Sequence, residues 1–143
     1  MKVTKQFEFE MAHMLAGHPS LCKNLHGHSY KLFVTVEGPV VDDMVVDFKD
    51  LKEIVKNLIV DTLDHCFAFN YNTQDDFEKD LIEVVKKHNK KYIAFPWRTS
   101  CENMAKWMFD VLNSAFVDRE TSYRVSNIRL YETSTSFADY KGV

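Results

Sequence analysis

The chain has 143 residues, 45% of them apolar and 19 aromatic, with only four Gly and three Pro. That length predicts a single domain over 1–143 with a core of its own, and the low Gly and Pro content excludes collagen-like and Gly/Pro-rich disordered classes. A net charge of −3 leaves no basic excess, so neither nucleic acid nor an anionic membrane is an expected partner.

Residues 3–13 alternate. Val3, Phe7, Phe9, Met11 and His13 share one parity, and Thr4, Gln6, Glu8 and Glu10 take the other, the pattern of a half-buried strand. Residues 28–37 repeat it, with His28, Tyr30, Leu32, Val34 and Val36 on one face and Gly38-Pro39 as the stop. Asp47 is the predicted N-cap of a helix whose stripe is Phe48, Leu51, Val55, Leu58, Ile59 and Thr62, running out near Leu63.

A weaker helical pattern covers 75–88, followed by a short strand at 92–95. The run 71–91 is polar and charged and reads as a surface excursion. Thr99-Ser100-Cys101-Glu102 reads as a capping box, with Met104, Met108, Val111, Leu112 and Ala115 behind it. A last strand lies near 125–132. The predicted class is α+β.

Cys22, Cys66 and Cys101 are an odd set with no CxxC spacing. No apolar run of signal-peptide length opens the chain, and none approaches ~18 residues. Reduced thiols and a cytoplasmic location are expected.

Chemistry concentrates in Ala12-His13 and in Cys22-Lys23-Asn24-Leu25-His26-Gly27-His28. His26 and His28, two apart, project from one face of a strand. His13 ends the first apolar parity and His28 begins the second. Pairing the two strands antiparallel brings three imidazoles to one rim, and three neutral nitrogens with an open position are what catalytic zinc uses. Gly27 is expected to let the backbone pack closely between the ligands. The competing reading makes each histidine an ordinary core or surface residue. His18 and His88 are read as solvated.

Cys22 has three readings: an acid/base or nucleophilic thiol beside a cation, a fourth zinc ligand, or a plain loop residue. Asp64-His65 is either a carboxylate-oriented acid/base or a helix C-cap. Glu132 ends an apolar strand face, which is costly without a partner, or else is an exposed strand end. The capping box already explains Glu102.

Taken in order, Phe7-x-Phe9-x-x-Ala12-His13, Cys22-x-x-x-His26-Gly27-His28, Asp47-Phe48-x-x-Leu51-Lys52, Leu63-Asp64-His65, Glu102-Asn103 and Tyr131-Glu132-Thr133 resemble the 6-pyruvoyl-tetrahydropterin / 6-carboxy-tetrahydropterin synthase family. The match spans nearly the whole chain outside 71–97, which is longer than in compact members and reads as a surface insertion. Three residues between Cys22 and His26 resemble the bacterial 6-carboxy branch of queuosine and deazapurine biosynthesis.

The resemblance implies a tunnelling fold: an antiparallel sheet with helices on one side, oligomerised into a barrel. It implies a homohexamer of two stacked trimers with active sites between subunits. It also implies Zn2+ on His13, His26 and His28, catalysis by Cys22, Asp64 and His65, and pterin contacts from Glu132 and Glu102. The implied substrate is 7,8-dihydroneopterin triphosphate. The products would be 6-carboxy-5,6,7,8-tetrahydropterin, acetaldehyde and triphosphate. The alternatives are a 6-pyruvoyl product from the same substrate, or a zinc-stabilised pterin-binding module without turnover. The resembling motif before Glu102 normally starts Pro-Thr, and here it is Thr99-Ser100-Cys101.

Overall fold

The computed structural model describes residues 1–143. Strands β1 (Lys2–His13) and β2 (His26–Glu37) pair antiparallel over their full length, from Lys2 opposite Glu37 to His13 opposite His26. Strand β5 (Arg124–Thr133) continues the sheet beside β2, and β6 (Ser136–Tyr140) closes that side, both antiparallel. On the other side of β1 lie β3 (Cys66–Asn70) and β4 (Tyr92–Phe95), both parallel. The six-stranded order is β4-β3-β1-β2-β5-β6, so the sheet is mixed, with an antiparallel centre.

The alternation read from the sequence has its predicted consequence. Phe9, Met11, Tyr30, Leu32, Val34 and Val36 are buried, as are Ile128 and Leu130 of β5. Against this face pack α1 (Phe48–Val55), with its continuation to Leu63, and α4 (Cys101–Asp118). Each fully buried apolar side chain contributes ~1.5–3 kcal/mol, and this face carries the main core. A sheet with its two main helices, α1 and α4, packed on one side is thus the observed fold. A smaller cluster of Met14, Phe67, Phe69 and Ile82 seats α3 (Asp76–Lys87) against the other parity of β3.

The first helix departs from regular geometry. Leu51, Val55, Ile59 and Leu63 are all fully buried, yet steps of four residues drift ~40° each on an ideal α-helix. A π-helical segment, Lys56–Val60, followed by α2 (Asp61–Leu63), widens the turn and keeps all four on the core side. Leu58 and Thr62, counted in the predicted stripe, are therefore only partly buried, and the Thr62 hydroxyl donates back to the Leu58 carbonyl (3.2 Å).

Two strands escaped the sequence reading. β3, Cys-Phe-Ala-Phe-Asn, has its first four residues buried because both of its faces are covered, so it shows no alternation. β6 is a five-residue edge strand, too short to carry a period. Within 71–97, the polar surface of α3 coexists with Phe95, which is buried in the main core. The caps are partly as expected. Asp47 accepts from the Lys49 amide (2.8 Å), but α4 is capped by Ser100, accepting from Asn103, rather than by Thr99.

Gly38 ends β2 against the segment leading into β5. A Cβ there would stand 2.9 Å from Tyr123 Cβ and 3.0 Å from the Ser122 carbonyl oxygen. Tyr123 is itself buried against Phe116, so neither neighbour can give way cheaply. Gly38→Ala is expected to destabilise the fold by ~1–3 kcal/mol, the usual cost of overpacking, read as a lower urea midpoint by circular dichroism.

Candidate active site

The β1–β2 register decides the site. His13 lies directly opposite His26, and His28 lies opposite Met11, one step along the same face. The three side chains converge, with ligand atoms all within 4.8 Å of one another. His13 Nε2 and His26 Nε2 are 3.1 Å apart, as are His26 Nε2 and His28 Nε2. Residues outside the sequence pattern orient the rings. His13 Nδ1 donates to the Thr99 carbonyl (2.9 Å), with the Thr99 hydroxyl also near (3.2 Å). His26 Nδ1 donates to the Asn24 carbonyl (2.7 Å).

These bonds put the protons of His13 and His26 on Nδ1 and leave both Nε2 lone pairs facing the same point. Two lone pairs at 3.1 Å share no hydrogen, so the contact is repulsive without a cation. Nitrogens ~2.0–2.1 Å from a tetrahedral ion stand ~3.3 Å apart, close to the spacing here. Burial, helped by its two histidine neighbours, pushes the His13 pKa down to about 4 against the pull of the Thr99 carbonyl. The neutral form is the ligating form. The donor set therefore fits a first-row metal. The expected close approach at Gly27 is not required: a Cβ there would stand 3.4 Å from the Met11 carbonyl oxygen, an ordinary contact.

Glu132 sits beside the trio. Its oxygens lie 4.0 Å from His13 Nε2 and 4.0 Å from His28 Nε2. Its Oε1 is buried without a hydrogen-bond partner. Burial first, then the Glu102 carboxylate, raises its pKa. Beneath the histidines, Tyr30 stacks on Phe9 (5.0 Å) and meets His28 edge-on (5.5 Å), and its hydroxyl is also buried and unpartnered.

A cavity of about 460 Å³ brings Cys22, Glu102 and Glu132 together. Cys22 is carried by a short 3₁₀ turn, Leu21–Lys23, in the loop that joins β1 to β2. It is not among the residues that converge as metal ligands. Glu102 faces this cavity because the α4 cap starts at Ser100, one residue later than expected. Asn103 then takes the reciprocal position, and the carboxylate is freed. Cys101 lines the same wall. Its thiol donates to the Leu130 carbonyl (3.1 Å), and burial pushes its pKa up to about 12, so it is an inert packing group.

Asp64 and His65 form the expected pair, Asp64 Oδ2 to His65 Nδ1 at 2.9 Å. Asp64 Oδ1 accepts from the Glu10 amide (2.8 Å), and this bond is the main reason its pKa is lowered. His65 adopts a left-handed φ of 61° and its side chain is 76% exposed. Strain of this kind persists where surrounding bonds enforce it, and the His65 amide donates to the Glu10 carbonyl at 2.6 Å. Within one chain His65 lines a second cavity, of about 530 Å³, with His28, Lys90 and Lys91, and not the cavity of Cys22. The sequence reading missed Thr99 and Asn24. Both act through backbone carbonyls, which leave no residue-type signal.

The family model described as 6-pyruvoyl tetrahydropterin synthase matches residues 2–143. A Haemophilus influenzae protein named 6-carboxy-5,6,7,8-tetrahydropterin synthase is 42% identical over 145 residues, covering 98% of each chain. One of that name from Aquifex aeolicus is 36% identical over 84% of this chain and 75% of its own. Among solved structures, an uncharacterized Wolinella succinogenes protein superposes with a TM-score of 0.81 at 21% identity, covering 100% of this chain and 98% of its own. The Caenorhabditis elegans 6-pyruvoyl tetrahydropterin synthase superposes with a TM-score of 0.69 at 24% identity, covering 100% and 96%. No helix is long and apolar enough to cross a membrane. With the match running the length of the chain and the histidine trio at its centre, the protein belongs to the 6-pyruvoyl tetrahydropterin synthase family of enzymes.

Proposed function

We propose that the protein is a zinc-dependent lyase. It converts 7,8-dihydroneopterin triphosphate and one water to 6-carboxy-5,6,7,8-tetrahydropterin, acetaldehyde and triphosphate, a step of queuosine and deazapurine biosynthesis. The observation that carries this reading is one cavity holding Cys22 and an unpartnered Glu132 that lies 4.0 Å from two of three convergent histidines. The three-residue gap from Cys22 to His26 and the printed name of the 42%-identical relative favour the 6-carboxy product.

His13, His26 and His28 would hold the zinc. When bound, it supplies a Lewis acid toward the substrate's side-chain hydroxyl oxygens. Glu132 accepts two hydrogen bonds from the 2-amino and N3–H edge of the pterin, a bidentate match that fixes the ring. Cys22 removes and returns protons at C6 and the side-chain carbons. His65, with Asp64 on its Nδ1, handles the proton of a side-chain hydroxyl through Nε2. Glu102 adds a second acceptor on the pterin side of the cavity.

His65, with Asp64 behind it, works beside Cys22 only across a subunit boundary, because within one chain His65 and Cys22 line different cavities. A homohexamer of two stacked trimers with sites between subunits meets that need. The unpaired outer edges of β4 and β6 are the surfaces through which sheets of neighbouring copies would join. The three cysteines are free thiols, in keeping with a reducing cytoplasm.

Incubation with 7,8-dihydroneopterin triphosphate tests the reaction: acetaldehyde is expected, and a pyruvoyl product with none would overturn the assignment. Two further variants separate catalyst from structural zinc module. His26→Ala is expected to lose most of its zinc by metal analysis. Cys22→Ala should keep zinc and fold while turnover falls by ~10² or more; departure of the metal with the thiol would instead favour the module. Glu132→Gln is expected to weaken pterin binding by ~2–4 kcal/mol, since an amide N–H then faces a ring N–H. Calorimetric titration reads this, with zinc content and melting temperature unchanged.

A further inference from the structure

The substrate reading above demands cations for a triphosphate, yet the chain is net acidic. The lysine and arginine ion pairs are Lys2–Glu37, Lys56–Asp61 and Arg129–Asp139. Lys91, in the second cavity, has its ammonium committed to the Asp61 and Asp64 carbonyls. Arg98 stands apart. It is the sole lysine or arginine lining the cavity of Cys22, Glu102 and Glu132. It is exposed, and none of its five N–H donors meets an acceptor in the chain.

Its backbone, by contrast, is held. Asn103 Nδ2 donates to the Arg98 carbonyl (2.9 Å), tying the residue to the first turn of α4. A second donor lines the same wall. His18 Nδ1 accepts from the Ser20 amide (3.1 Å), which places the ring hydrogen on Nε2. Arg98 also borders an adjoining groove of about 440 Å³, walled by Asn70, Asn72, Thr73 and Gln74. It thus stands where the acidic cavity opens into a polar channel.

We propose that Arg98 is the anion-binding residue of the site, gripping the oligophosphate tail of the pterin substrate, with His18 Nε2–H as a second donor. The chemistry follows from the side chain. A guanidinium offers a planar fork that matches phosphate oxygens bidentately. A free cation in a cavity that also holds two carboxylates offers groups for both a donor-rich ring and an anionic tail. Arg98 is then a specificity residue: it separates phosphorylated from unphosphorylated pterins and takes no part in moving protons.

The proposal rests on the pterin reading, and calorimetry on the full, zinc-loaded chain distinguishes the two. All chains carry Cys22→Ala to prevent turnover, and in this background the otherwise wild-type chain, Arg98→Gln and Arg98→Lys are titrated with 7,8-dihydroneopterin triphosphate, with 7,8-dihydroneopterin and with inorganic triphosphate. Arg98→Gln is expected to lose ~10–100-fold in affinity for the triphosphate ester, with dihydroneopterin affinity unchanged within twofold and Arg98→Lys in between. Equal losses for both pterins would make Arg98 a structural residue and overturn the proposal, as would unchanged affinity for the triphosphate ester. If neither pterin binds wild type while inorganic triphosphate binds and is lost in Arg98→Gln, the anion role stands and the pterin reading falls.

Discussion

The site depends on one constraint, the antiparallel register of β1 and β2. Because side chains alternate with a period of two, a one-residue slip would send His26 and His28 to the opposite face from His13. The register is enforced far from the histidines. Phe9 and Tyr30 face each other and stack, Phe7 and Leu32 pair beside them, and both strands bury their apolar parity under the helices. Hydrophobic burial along a dozen residues therefore aims three polar groups at its end. The cost of holding His13 wholly inside the protein is offset by the Thr99 carbonyl, and a cation held by the trio would offset more.

The residues around that trio divide by chemistry. The three convergent imidazoles come from the paired strands of the sheet. Cys22 comes from the β1–β2 loop, on a short turn beside the cavity. Glu132 comes from β5 and keeps an unpartnered buried oxygen. An acceptor left unsatisfied in a folded chain is a standing cost, and a ligand with paired N–H donors removes it. Asp64 and His65 are built differently again. Their bonds to Glu10 rigidify a strained backbone at the surface, so the imidazole is held still while it remains exposed. That combination suits the role proposed for it, at a site completed by a neighbouring chain.

The fold was legible where one face is wet. β1, β2, β5, the first helix and α4 all bury one side and expose the other, so their periods appear in the residues themselves. β3 was invisible because α3 covers its second face and erases the alternation. The capping motif at 99–102 was placed one residue early because Thr99 and Ser100 are both good caps. Only the need of His13 for an acceptor assigns Thr99 elsewhere.

The convergence of His13, His26 and His28 could be read from the sequence alone, because strand parity converts spacing into a shared face. Cys22 could be nominated from its four-residue distance to His26. Tertiary structure alone decided the rest. The backbone carbonyls of Thr99 and Asn24 set the histidine tautomers, and carbonyls are identical at every position of a sequence. The separation of Asp64–His65 from Cys22 depends on which side of the sheet each loop leaves. The freedom of Arg98 is a statement about what does not touch it. Periodicity reports which residues share a face, and cannot report which distant segments arrive beside them.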